Sequence, residues 1–362
     1  MRLRRVFSFL GLALVGMLAW PGLAPAGEVA ENYHYKVLAA IRHGNLSVFP
    51  VVAAISHDTQ DFITLDEGLK SGDVVVSESG NISPLVRPRH DGVVRAPRAG
   101  AQVNQLVLVN NSKRPLILLA GEIVTGGKQD RVIGKDRLVP AQSDPIDVGV
   151  FCVEPGRWTG PKSSFDAVGG GMAQPALREK AMAAKDQAQV WSEVRKSQAQ
   201  MAATLTAPVA AEVQGTSSYA KVMENDEVKQ KVDAVAAPIQ HDYQSLIKQL
   251  RDRNAVGVVV AVNGEIIWAD VFASTSLLEK YWPKLVRSYA AEAIVSRVKN
   301  GDTSVKEAQQ FLDDLEGRRE TVETEPGLYS HTEITGDGFK AFELTSLLPR
   351  TGFQLHVAKM AE

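Results

Sequence analysis

The sequence predicts an α+β protein: a β-rich, sandwich- or barrel-like N-terminal region, a helical middle segment and a mixed α+β C-terminal region. Three observations predict it. Between Asn45 and Trp158, short Val-, Ile- and Leu-rich runs alternate with Gly, Pro and Asn, as in an all-β region. From Pro175 the composition turns to Ala, Lys, Gln and Glu, which favours helix. Beyond that, two β-rich runs joined by Asn263-Gly264 precede two helical patterns and three more alternating runs. This order is not the strand–helix–strand alternation of a doubly wound fold.

The first element is an export signal. Arg2, Arg4 and Arg5 precede the uncharged, mostly apolar run Val6 to Trp20, which Pro21 and Gly22 break. Ala24-Pro25-Ala26 then supplies the small residues that a signal peptidase accepts. The run is 15 residues long, short of the ~20 needed to span a membrane. No Cys follows it to carry a lipid. Residues 1–26 are therefore expected to be removed, placing the chain in the periplasm or outside the cell. The remainder divides into a β-rich region over 27–160, a linker and helical arm over 161–222 and an α+β region over 223–362, although 27–362 also fits a single domain.

With 44% hydrophobic and 23% charged residues, the chain can build an ordinary globular core. Its formal charge of −2 falls to about −5 without Arg2, Arg4 and Arg5, which excludes the basic field of a nucleic-acid binder. No later run is apolar for long enough to cross a bilayer, so no membrane span is expected after signal removal. Cys152 is the lone cysteine, so packing and not disulfides must hold the fold.

The elements follow in order. Leu46 to Val52, Phe62 to Leu65, Asp73 to Glu78, Val103 to Val109 and Leu116 to Leu119 read as strands, with Asn110 to Pro115 as a polar turn. Thr159 to Gln174, centred on Gly169-Gly170-Gly171, reads as a flexible loop. Pro175 to about Ala203 predicts a helix, and Ala207 to Ser218 a break. Val228, Val232, Val235, Ile239, Tyr243, Leu246 and Leu250 recur at steps of three and four, making one apolar helical stripe. Val256 to Val262 and Glu265 to Phe272 form a hairpin whose Asn263 and Gly264 both need positive φ. Helices are predicted over Ser274 to about Val298, with Ser274, Thr275 or Ser276 as N-cap, and over Ser304 to Leu315. Tyr329 to Thr335, Phe339 to Leu344 and Phe353 to Val357 close the chain as strands.

One stretch is dense in polar chemistry. Leu118 to Ile133 runs an apolar strand into Gly121, Gly126 and Gly127, with Glu122, Lys128, Gln129, Asp130 and Arg131 among them. Glycine lets backbone approach a ligand and lets successive N–H groups point inward as an anion nest. Phe151 to Trp158 repeats the theme: apolar strand, Glu154, a Pro-Gly turn, Arg157 and Trp158. If these strands pair, Glu122, Asp130, Arg131, Glu154 and Arg157 meet at one sheet end. Gly126, Gly127, Lys128, Gln129, Arg131, Arg157 and Trp158 are then the candidate ligand-binding residues, and Glu122, Asp130, Glu154 and Cys152 the candidate catalytic ones. The plainer reading is a glycine turn with structural ion pairs, and Cys152 as a small buried hydrophobe between Phe151 and Val153.

Several chemistries find no support. A phosphate-binding loop ending in Gly127-Lys128 would need Gly at 122 and Ser or Thr at 129, where Glu122 and Gln129 stand. His57, Asp58 and Asp61 lack metal-ligand spacing, so neither a metal nor a cofactor is expected. The chain has no Gly-x-Ser-x-Gly nucleophile elbow.

The two polar motifs, from Leu119 to Arg131 and from Cys152 to Trp158, resemble the ARG and Rhodanese-Phosphatase-superfamily-associated domain. Gly44 to Val51 and the hairpin Val258 to Phe272 resemble it too, extending the likeness over most of the mature chain. The family name records association with ADP-ribosylglycohydrolases and rhodanese-phosphatase proteins. The resemblance implies that Glu122, Gln129, Asp130, Arg131, Cys152, Glu154, Arg157 and Trp158 form a shared feature, without assigning it a reaction.

Three functions fit the residues. The first is a binding or interaction module of the cell envelope, whose Gly-rich rim takes an anionic small molecule or an envelope protein. The second is a hydrolase or transferase on a phosphorylated or ADP-ribose-like substrate, with the cations holding oxygens and Glu122, Asp130 or Glu154 as acid or base. The third is thiol chemistry at Cys152. The first is preferred because no complete catalytic constellation can be assembled. The export signal makes its own prediction: intact-mass measurement of the exported product gives an N-terminus near Gly27, and a product retaining Met1 to Ala26 contradicts it.

Overall fold

The computed structural model describes residues 35–79, 101–160, 164–250, 253–299, 301–325 and 327–362. The expected signal over 1–26 lies outside them. The fold is α+β, with a closed barrel and a large antiparallel sheet.

Five of the six barrel strands come from the predicted β-rich region, whose first long strand, Leu46–Ala53, belongs instead to the large sheet. The barrel strands run Ile146–Cys152, Gln105–Asn110, Val74–Glu78, Ser164–Met172, Glu122–Gly126 and Arg131–Ile133, and the last pairs back onto the first. Closure removes every exposed edge. Val74 and Val76, Leu106 and Leu108, and Val148 and Val150 lie two apart on their strands and so share one face. With Val124, Ile133 and Phe165 they form one buried apolar cluster.

The large sheet joins the two ends of the chain. Among the described residues its order is Lys36–Val37, Leu46–Ala53, Asn254–Val262, Glu265–Phe272, Gln354–Ala361, Phe339–Ser346, Tyr329–Gly336 and Arg318–Glu325, with Ile41–His43 also paired to Leu46–Ala53. Leu46 pairs with Val262 and Ala53 with Asn254, so the first long strand is completed by residues some 200 positions later. The Asn263-Gly264 turn has φ of 57° and 79°, the left-handed pair the sequence requires. A small sheet of Arg137–Val139, Leu116–Leu118 and Ile63–Thr64 lies beside these.

Two long helices cover the large sheet. Asp226–Gln249 buries Val228, Val232, Ile239 and Tyr243 of the predicted stripe, with Ala236 buried where Val235 was expected and is only half-buried. Thr275–Val295 starts at Ser274, whose side chain accepts the Leu277 N–H. Tyr243 and Trp282 join the two helices, ring centroids 4.3 Å apart. No helix among the described residues is long and apolar enough to cross a membrane.

Several elements differ from the sequence expectation. Of the strand expected over Phe62 to Leu65 only Ile63–Thr64 forms, because Thr64 and Glu67 make a capping box that starts the helix Leu65–Ser71. The glycine-rich segment expected as a loop contains the barrel strand Ser164–Met172. Its register shifts between Ala167 and Met172, where Gly169, Gly170 and Gly171 lie; a strand paired on both sides tolerates glycine at such a bulge. Ala207–Gly215 is a helix, because Pro208 sits in its first turn, where proline initiates. The single helix expected from Pro175 divides into Pro175–Glu179, a π turn over Lys180–Ala184 and Gln187–Ala202, with Lys185 at φ 52° between them. Arg318–Glu325 is a strand at the sheet's end, where its charges oppose edge-to-edge pairing.

Where barrel, sheet and helices meet lies a chain of buried charges. Arg178 donates to both carboxylate oxygens of Asp270, at 2.8 and 2.9 Å. His356 Nδ1 lies 2.5 Å from Asp136 and its Nε2 3.1 Å from Asp270. Tyr289 donates to Asp270, and the second Asp136 oxygen accepts the Ala120 N–H at 2.7 Å. Asp136, Arg178, Asp270, Tyr289 and His356 are all 0% exposed. Burial alone would lower the pKa of His356, but Asp136 and Asp270 raise it to about 9. Burial likewise opposes ionisation of both carboxyls, yet His356 and Arg178 hold them below the usual range. Two anions thus face two cations, and the imidazolium donates from both nitrogens.

This gives stability a sign with pH. The folded pKa of His356, about 9, exceeds its ordinary 6.5. Its contribution is therefore full below about pH 6.5 and is lost as pH rises through about 9. At ~1.4 kcal/mol per unit the loss is on the order of 3 kcal/mol. Thermal melts from about pH 6 to pH 10 give a falling midpoint, and His356→Gln flattens the fall; a wild-type midpoint constant across that range contradicts the charged pairing.

Candidate functional site

The two polar motifs are neighbours. Arg131 pairs with Cys152 on one side and with Val124 on the other, so both motif ends emerge at one rim of the barrel. The Val153 N–H donates to the Asp130 carbonyl at 3.0 Å and continues the contact past the strands.

The glycine turn at this rim is tight because three things crowd it. A Cβ at Gly127 would lie 2.2 Å from the Phe165 ring and 2.7 Å from Glu78 Oε1, and one at Gly126 would lie 2.6 Å from the Ser164 carbonyl oxygen. Both residues also have positive φ, of 125° and 47°. The turn's N–H groups face inward, as a nest requires, but the protein's own groups fill it. Gly126 N–H donates to Asp130 at 3.3 Å, Gly127 N–H to the Ser164 carbonyl at 3.2 Å and Lys128 N–H to Glu78 at 2.8 Å.

The charged side chains are paired with one another. Arg157 lies 2.6 Å from Glu154 and 3.4 Å from Asp130, and it donates to the carbonyls of Gly126, Gly127 and Thr159. Glu154 accepts the Asp130 N–H at 3.1 Å, and Asp130 accepts from the Ser218 hydroxyl at 2.7 Å. Gln129 donates to the Glu154 carbonyl. Burial raises the Asp130 pKa, the neighbouring Glu154 adds to it, and Ser218 opposes it. The Glu154 hydrogen bond raises Arg157 further above its already high value.

Arg131 is the exception. It is 0% exposed and donates through one nitrogen to the Gln129 carbonyl at 2.7 Å. Its Nε and Nη2 have no hydrogen-bond acceptor, the Glu78 carboxylate lying 3.9 Å away. Its guanidinium carbon sits 5.9 Å from the centre of the Trp158 ring, and the Lys128 amine 4.9 Å from the same centre. Trp158 itself is 40% exposed. An indole thus sits at the surface above a buried, under-satisfied guanidinium.

Two of the expected residues behave differently. Glu122 begins its strand but does not join the rim: it accepts the Leu119 N–H at 2.7 Å and pairs with Lys284 at 2.5 Å. Lys284 reaches from the helix Thr275–Val295 and also holds Asp66 at 2.7 Å. Burial alone would lower the Lys284 pKa, but Glu122 and Asp66 raise it. Spacing along the strand could not reveal a partner 162 residues away. Cys152 lies near the rim but is fully buried, held by Gln187 through both its backbone N–H and its carbonyl. Burial raises its thiol pKa, the reverse of activation.

Sequence reasoning missed Glu78, Ser218 and Gln187, which the fold brings to the rim from three other segments. Only Glu78 left a signal, as the acidic end of a predicted strand.

The family model of the ARG and Rhodanese-Phosphatase-superfamily-associated Protein domain matches residues 34–358. This chain belongs to that family. The match takes in the barrel, the whole rim and all of the large sheet up to Ala358 in its strand Gln354–Ala361, and bears out the resemblance read from the two motifs. No curated protein and no solved structure matches the chain.

In this family member Asp130 and Glu154 are both paired with Arg157, while one buried oxygen of Glu78 has no hydrogen-bond partner. The burial of Cys152 gives a direct check. A thiol reagent leaves the native protein unmodified and labels one site after denaturation; rapid native labelling would restore the thiol reading.

Proposed function

We propose that this protein is a non-catalytic binding module of the cell envelope, exported by its N-terminal signal, that takes an anionic ligand at the barrel rim. The observation that carries the reading is Arg131: fully buried, with two nitrogens lacking acceptors, beneath a surface indole. A buried guanidinium gains most from a bidentate oxyanion partner. Trp158 lies over it, and Lys128 and the partly exposed Arg157 flank the entrance, so a ligand that displaces or stacks on the indole meets three cations. Gly126, Gly127 and Gln129 shape the floor, and Asp130 and Glu154 hold Arg157 in place.

The hydrolase or transferase alternative needs an acid or base with an open face. Asp130 is held by Ser218, Arg157 and the Gly126 N–H, Glu122 by Lys284, and Glu154 by Arg157 and the Asp130 N–H at one oxygen; Glu78, with one oxygen unpartnered, is buried beside Arg131. That arrangement supports binding over turnover.

The test is a binding screen with phosphates, ADP-ribose and sugars, read by tryptophan fluorescence and calorimetry. Anionic members bind without being consumed, and Trp158→Ala weakens them at least ~10-fold while shifting stability by no more than about 0.5 kcal/mol. Turnover of any member, or binding indifferent to both Trp158→Ala and Arg131→Met, overturns the reading.

A further inference from the structure

The long helices Asp226–Gln249 and Thr275–Val295 leave a groove between them at the ring pair of Tyr243 and Trp282. It holds about 350 Å³, inside the ~300–1,000 Å³ range of small-molecule sites. Tyr243, Leu278 and Trp282, all buried, make its floor, and half-buried Ile247 makes a wall. Gln244, Lys248 and Glu279 stand exposed at its mouth.

Two hydrogen-bonding groups of the groove are unmatched. Trp282 is 3% exposed and its Nε1–H has no acceptor, although a buried indole N–H usually finds one. Pro283, which also lines the groove, leaves the second gap. It brings no N–H to the carbonyl of Glu279, four residues earlier on the same helix, so that carbonyl lacks its helical donor. A donor without an acceptor and an acceptor without its donor thus stand on one turn of helix beside an apolar hollow.

The mouth carries both signs of charge. Lys248 comes from one helix and Glu279 from the other, and neither side chain has an ion-pair or hydrogen-bond partner among the described residues. Burial raises the pKa of the Tyr243 hydroxyl and the charge of Glu279 raises it further, which puts that charge within reach of the groove floor. A plain anion would gain from Lys248 and lose at Glu279, and a plain cation the reverse. A ligand that bears both charges gains at each.

We infer that this groove binds a free amino acid with a large apolar side chain. Its carboxylate takes the Lys248 amine and the Trp282 N–H, and its ammonium takes the carboxylate and carbonyl of Glu279. The side chain lies on Tyr243, Ile247 and Leu278. The apolar floor supplies affinity, and the few polar groups at its edge fix orientation. The site is independent of the barrel rim: it shares no side chain with Arg131, Arg157 or Trp158.

The test is calorimetric titration of the intact protein with leucine and phenylalanine, set against isocaproate, which is leucine without its ammonium, and isoamylamine, which is leucine without its carboxylate. Both amino acids bind saturably, and each analogue binds at least ~5-fold more weakly, the upper end for one solvent-exposed ion pair. Glu279→Gln weakens leucine by a similar factor and leaves isocaproate no weaker. Lys248→Met weakens leucine and spares isoamylamine. Both side chains are exposed, so the variants melt with the wild type, and lost binding is not lost fold. Trp158→Ala leaves leucine binding unchanged, so the rim and this groove stand or fall separately. No saturable heat with either amino acid overturns the inference. So does isocaproate or isoamylamine binding as tightly as leucine, or leucine binding indifferent to both Glu279→Gln and Lys248→Met.

Discussion

Asp136, Arg178, Asp270 and His356 come from four separate stretches of chain, and each holds its charge in the interior because the others are there. Removing one partner from such a set leaves an uncompensated buried charge, at a typical cost of about 3–5 kcal/mol. Geometry follows from that penalty. The segment after the barrel strand Arg131–Ile133, the short helix Pro175–Glu179, the long helix Thr275–Val295 and the sheet strands Glu265–Phe272 and Gln354–Ala361 must all take one mutual arrangement. Apolar packing would tolerate small slips between them; the fork of Arg178 on Asp270 does not. Lys284, held between Glu122 and Asp66, repeats the device where the same long helix meets the barrel.

The rim depends on this frame. Its strands are short, and Arg131–Ile133 has only three residues, so alone it would hold its ends poorly. The turn over Gly126 and Gly127 is fixed by contacts from outside, with Phe165 and Glu78 on one side and Arg157 on the other. What remains at the surface is a preset indole and two cations. Preorganisation of that kind favours recognition, since little freedom is left to lose on binding.

Legibility in the sequence tracks how local each cause is. The Asn263-Gly264 hairpin, the Ser274 cap and the stripe from Val228 to Tyr243 were readable because turn chemistry and helical periodicity act within a few residues. The meeting of the two polar motifs was readable as a consequence of strand pairing. The strand through Gly169 to Gly171 was not, since its stability comes from the strands on either side and not from its own composition. Nor was the charge network. Asp136 and His356 stand 220 positions apart, and nothing around either residue announces the other. His331 was one of seven scattered histidines until the fold buried it against Phe342.

The pairing of Leu46–Ala53 with Asn254–Val262 has a consequence for biogenesis. The earlier strand is almost wholly apolar and buried on both faces in the finished sheet. At ~5–20 residues per second, a ribosome needs roughly 10–40 seconds to make the partner strand after the first has emerged. During that interval a sticky, unpaired ribbon is available to any neighbouring chain. Holdase chaperones are the natural guardians of such a ribbon, and the yield of native protein should depend more on their supply than on the stability of the end product.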